Sequence, residues 1–185
     1  MKFRPGNSKR EIYIVLALLL LIALFLGLSV FKSMPPAASG TSHPDIPGMQ
    51  VGGDGTARIN GLETASFIVF AATFLLFTTL VISGVSKRNR TRRFWIWMFI
   101  ITLAVLFVWY QVFESYRDYL STGDLRYILG FPEPTAWMIY GLWGGGALFA
   151  VVYVLEFRKI IYTKEDEEAL KDIVEEFTKN GEELI

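Results

Sequence analysis

Four uncharged apolar runs divide this chain. They are Ile12–Phe31, Thr64–Ser86, Phe94–Phe113 and Pro134–Leu155, and none contains Asp, Glu, Lys or Arg. A bilayer's hydrocarbon core is roughly 30 Å thick and takes about 20 helical residues to cross. The runs therefore predict four transmembrane helices, over about 12–31, 64–86, 94–115 and 134–157. The first run follows a basic start and precedes Ala37-Ala38, the order found in a cleaved signal peptide. Signal h-regions hold only about 7–15 apolar residues. This run is longer, so it reads as a membrane helix that is kept.

The polar stretches have different characters. Residues 32–63 hold four prolines and six glycines, which rules out a long helix and predicts a loop of about 30 residues. Within it, Gly52-Gly53-Asp54-Gly55 reads as tight turns. Residues 114–133 mix charge with aromatics. Glu114–Leu120 can extend the third helix beyond the bilayer, and Gly123 would stop it. Aromatic rings near both ends of the third run, Phe94-Trp95-Ile96-Trp97 and Trp109-Tyr110, match interfacial belts. Pro134 suits the first turn of the fourth helix. Residues 1–162 thus form a transmembrane domain.

Residues 163–185 form a tail with helical periodicity. Thr163 and Asp166 make a capping-box-like start, and Glu165–Glu168 sit where the helix dipole favours acids. Leu170, Ile173, Val174 and Phe177 recur along one face. Asn180-Gly181 would end the helix. The stripe is narrow and the polar face acidic, so an anionic membrane surface is a poor match. A partner's surface, or this chain's own loops, suits it better.

Charge adds orientation. The chain carries 18 Lys plus Arg and 18 Asp plus Glu, but they are segregated. Basic residues cluster before the first run (Lys2, Arg4, Lys9, Arg10), between the second and third (Lys87, Arg88, Arg90, Arg92, Arg93), and after the fourth (Arg158, Lys159, Lys164). With four spans all three clusters fall on one side. The positive-inside rule makes that side cytoplasmic. The sequence thus predicts an all-α integral membrane protein of the cell membrane. It is a four-helix bundle with both termini inside, an outer loop at 32–63 and a short cytoplasmic amphipathic helix. Lys87–Arg93 reads as the topology determinant. Attraction between this run and Glu165–Glu168 is expected, with Arg90, Arg92 and Arg93 carrying it. The overall balance gives no reason to expect nucleic acid; the partners are the bilayer and other membrane subunits.

Candidate chemistry is sparse. With no cysteine, thiolate metal sites, disulfides and cysteine nucleophiles are excluded. The one histidine, His43, lies in the long loop and not in a predicted helix, so neither an axially ligated haem in the bundle nor a Ser-His-acid set is expected. His43, Asp45 and Met49, with Met34 nearby, are the only weak metal candidates. No cofactor and no catalytic residue is assigned. Glu114 is the sharpest ionisable candidate, because carboxylates at membrane depth handle protons or cations. Its edge position and Arg117 three residues on favour a structural ion pair. Glu156 and Lys159 read the same way. Gly141 and Gly145, spaced i,i+4, let helices approach closely. They serve either packing within the bundle or an interface with another subunit. Thr73, Thr78, Thr79 and Ser83 can bond to their own backbone or across to a neighbour.

Tyr127–Trp143, YILGFPEPTAWMIYGLW, and the YTKEDEEAL that begins at Tyr162 resemble small membrane proteins that accompany sodium:solute symporters. The resemblance covers the final third, implies an accessory role and brings no catalytic residues. Together these readings lead to a non-catalytic membrane accessory subunit of a larger transporter, redox or enzyme complex. A small transporter or channel component is the alternative. A membrane enzyme using His43, Asp45, Asp54 and Glu133 at the outer face is the weakest.

Overall fold

The computed structural model describes residues 9–32, 40–53, 57 and 61–182. Lys2, Arg4, Met34, Ala37-Ala38, Asp54 and Arg58 lie outside them. Four helices are long and apolar enough to cross a membrane: α1 (Lys9–Val30), α2 (Glu63–Ser83), α3 (Arg92–Thr122) and α4 (Glu133–Leu155). Each coincides with one of the apolar runs. A four-residue helix, α5 (Phe157–Ile160), and the tail helix α6 (Lys164–Glu182) follow.

The ends of these helices differ from the runs for local reasons. The second run reaches Ser86, yet α2 stops at Ser83 with Gly84 as its cap. The chain then turns through a 3-10 segment, Lys87–Asn89. The basic stretch is therefore only partly a loop. Thr91 caps α3 by accepting from Phe94 N–H at 3.2 Å, so Arg92 and Arg93 form its first turn. At 31 residues α3 is about 46 Å long. It continues through Glu114–Leu120 and ends where Gly123 takes φ 74°, a left-handed value that favours glycine. Inside α4, Trp137–Leu142 widens into a π-helix, beside which Trp137 Nε1 is buried without a partner. Thr41–Ser42 pairs with Gln50–Val51, and Tyr127–Ile128 with Phe131–Pro132, as two short hairpins. Residues 43–49 and 52–53 of the long loop are turns, bends and irregular chain. The tail helix runs one residue past Asn180-Gly181.

Helix α3 is the centre of the bundle. Phe94, Met98, Ile101, Val105, Trp109 and Val112 are its buried residues, at steps of three or four. Such a stripe keeps one face towards its neighbours along the whole helix. Phe149 and Val152 of α4 complete the core, with Val85 and Ile160. Trp109 packs among Phe67, Phe70 and Phe74 of α2 and donates to Phe67 O at 3.3 Å. Helix α1 packs on α2 and buries no side chain.

The hydroxyls satisfy themselves as apolar surroundings require. Thr73, Thr79 and Ser83 each donate to the carbonyl four residues back at 2.8 Å. Thr78 instead meets Thr102 of α3, oxygen to oxygen, at 3.2 Å. Helices α2 and α4 touch near the basic end, where Phe77 meets Phe149 edge-on and Tyr153 OH donates to Val81 O.

Candidate functional site

At one end of the bundle the first turn of α1, the 87–93 stretch and the segment after α4 come together, and acidic groups from three elements meet the cations there. Lys87 and Arg90 both reach Glu11 in the first turn of α1, Lys87 at 3.7 Å. Arg90 Nε also donates to Val85 O at 2.9 Å, and its side chain is only 8% exposed. Arg93 pairs with Glu156 at 3.1 Å, and Lys159 holds the other oxygen at 3.0 Å. Arg88 extends to the tail, 2.9 Å from Asp166 and 3.4 Å from Glu165. Arg158 reaches Glu167 at 3.1 Å. Asn89, buried at the end of the 3-10 turn, donates to Ile160 O at 3.3 Å.

The basic stretch is therefore a fastener. Four of its five cations tie the α2–α3 connection to the start of α1, the end of α4 and the tail. Among the described residues only Arg92 of the five has no ion pair recorded. The expected attraction to the tail exists, but through Arg88 and not through Arg90, Arg92 or Arg93. The reason is direction. Arg90 folds inwards onto Val85 and Glu11, and Arg93, on the first turn of α3, faces α4.

The tail begins with the reciprocal cap its sequence announced. Thr163 N–H and Oγ1 approach Asp166 Oδ2 at 2.9 and 2.7 Å, while Asp166 N–H donates to Thr163 Oγ1 at 3.3 Å. These hydrogen bonds from Thr163, and then Arg88, hold the Asp166 carboxyl below its ordinary pKa. Beyond that start the apolar stripe is uncovered. Leu170, Ile173 and Val174 are about half exposed, and Phe177 is 75% exposed. With helical spacing, the stripe lies on the same flank as Asp166, and Glu168, Asp172 and Glu175 lie opposite.

The other candidates sit elsewhere. Glu114 and Arg117 are 3.7 Å apart and partly exposed, at the end of the bundle away from the basic cluster. His43 shapes its own hairpin. Its Nδ1 accepts from the N–H groups of Asp45 and Ile46, both at 3.1 Å, and its N–H donates to Met49 O at 2.8 Å. Met49 is exposed. Gly141 and Gly145 face α3: a Cβ on Gly141 would run into Val108, and one on Gly145 would come within 2.7 Å of Val105 Cγ2. Gly144 and Gly146 face open space.

Two cavities complete the picture. One, of about 470 Å³, opens where α2 and α4 part at the far end. Its walls are mainly apolar, including Phe70, Trp109, Phe113 and Met138, and Glu63 and Arg117 also line it. The other, of about 280 Å³, runs between α3 and α4 from Arg93 and Glu156 into the bundle's basic half. Sequence reading found neither cavity, and it missed Glu11, Asn89 and the Arg93–Glu156 pair. For Glu11 a signal existed: a carboxylate at the head of an apolar run needs a cation close by.

Comparison with protein families, with curated proteins and with solved structures finds no match for this chain. What is established is the class: an all-helical, multi-pass protein with four helices able to span a membrane.

Proposed function

We propose that this protein is a non-catalytic accessory subunit of the cell membrane, with both termini cytoplasmic. It assembles with a larger membrane complex through its tail. One observation carries the reading. Helix α6 is fixed at its first turn by Arg88 and Arg158, yet presents Leu170, Ile173, Val174 and Phe177 uncovered. An anchored amphipathic helix with a free apolar face suits a groove on a partner. Its acidic polar face disfavours anionic lipid and suits a groove with a basic rim. The resemblance of Tyr127–Trp143 to small membrane proteins that accompany sodium:solute symporters makes a solute transporter the first companion to look for.

The test is purification from native membranes in mild detergent, with quantitative mass spectrometry. The full chain should bring down a companion at fixed stoichiometry, and a chain ending at Thr163 should lose it. A monodisperse full-length chain without a stoichiometric companion would overturn the proposal.

The far-end cleft favours a second reading, a small transporter component. Its walls are apolar, however, and towards the basic end α2 and α4 close together at Phe77–Phe149 and Tyr153–Val81. Flux of an ion or polar solute through liposomes holding this chain alone would support that reading over the first.

A further inference from the structure

The groove between α3 and α4 has two features that belong together. Trp97, Ile101, Ala104, Leu148 and Val152 give it apolar walls. Arg93 and Glu156 stand at its mouth, with Lys159 on the second carboxylate oxygen. Among the described residues Glu156 is the one carboxylate lining the groove and is buried, whereas the Arg93 and Lys159 side chains are 64% and 60% exposed. Two cations share one anion, so a positive charge is left over at the mouth. The amino end of α3 adds its dipole in the same sense.

Length gives the groove its meaning. From Arg93 to Ala104 the helix rises about 16 Å at 1.5 Å per residue. That is close to half of a hydrocarbon core of roughly 30 Å, the depth of a single leaflet. The volume, about 280 Å³, lies at the lower edge of ligand pockets and suits one hydrocarbon chain. A cationic rim above a one-leaflet apolar slot matches one kind of molecule, an acidic phospholipid with its phosphate at Arg93 and one acyl chain along α3.

We infer that this groove is a binding site for an anionic glycerophospholipid in the leaflet that the basic end faces. Arg93 and Lys159 recognise the headgroup, and Glu156 holds both cations in place from beneath. The site needs only the membrane and is independent of any companion subunit.

Native mass spectrometry of the detergent-purified full chain tests it, with phosphatidylglycerol and phosphatidylcholine as probes. One phosphatidylglycerol should be retained per chain, with about a tenfold preference, the worth of one charge-assisted hydrogen bond. Arg93→Gln should erase that preference, while Arg92→Gln should keep it. Because Arg93 also fastens the fold, Ala104→Phe is the second variant. It fills the slot, leaves every charge in place and should abolish retention. Equal retention of both lipids, no retention by the native chain, or equal losses in Arg92→Gln and Arg93→Gln would each overturn the site.

Discussion

The Arg93–Glu156 pair joins the start of α3 to the end of α4 across 63 positions of sequence, and its strength can be measured by a double-mutant cycle of Arg93→Gln and Glu156→Gln. The geometry brackets the answer. The Glu156 side chain is 7% exposed and that of Arg93 64%. Exposed ion pairs contribute about 0.2–1 kcal/mol. Removing one partner of a fully buried pair costs about 3–5 kcal/mol. This pair is buried on one side only, and Lys159 remains 3.0 Å from the carboxylate after Arg93 is lost. A coupling of about 1–2 kcal/mol follows, between those limits. The assay is equilibrium unfolding in mixed micelles, followed by far-UV circular dichroism as denaturing detergent is added. Added salt should weaken the coupling only in part, since one partner is shielded from solvent. A coupling below about 0.3 kcal/mol, within ordinary additivity, would refute the claim that this pair fastens the bundle.

Gly145→Val should destabilise the fold by about 1–3 kcal/mol through overpacking on Val105, whereas Gly144→Val, with open space around it, should change little in the same unfolding assay. Arg88→Glu should expose the tail to limited proteolysis and Arg92→Glu should not; equal cleavage of both would contradict the assignment of the tail's anchor to Arg88. The Asp166 carboxyl is held low when folded, so its contribution is complete above the unfolded carboxylate value, about 4, and is lost as pH falls through the lower folded value. The amide NMR shift of Thr163 should therefore stay constant from pH 7 to 5 and titrate only below about 4; a midpoint above the usual carboxylate range would contradict the cap. Asn89→Ala should cost about 1–3 kcal/mol by stranding the Ile160 carbonyl, and thermal unfolding in detergent checks it.

The spans were legible because length and the lack of charge are one-dimensional properties. Thr163 with Asp166, Gly123 and Glu114 with Arg117 were legible because their partners lie within one helical turn. What packs on what was not. The buried stripe of α3, Phe94 to Val112, sits in a run that is apolar all round, so no polar face marks which side turns inwards. The basic stretch shows the same limit. Its charges predicted a common side with the termini and the tail; among the described residues the contacts gather the start of α1, the end of α4 and the first turn of the tail helix at one end. Which cation meets which acid depends on side-chain direction, and there Arg88, not Arg90, Arg92 or Arg93, holds the tail. The π-helical turn at Trp137–Leu142 leaves no sequence mark and carries Met138 and Leu142 into the wall of the far-end cleft.

The proposed accessory role rests on the tail's uncovered face, and site-specific photocrosslinking in native membranes examines that face directly. A photoreactive residue at Ile173 or Phe177 should give one discrete crosslinked protein species, and at Glu168 or Glu175, on the opposite flank, none. Crosslinks to lipid alone, or equal protein crosslinks from both flanks, would contradict docking of the tail on a partner subunit.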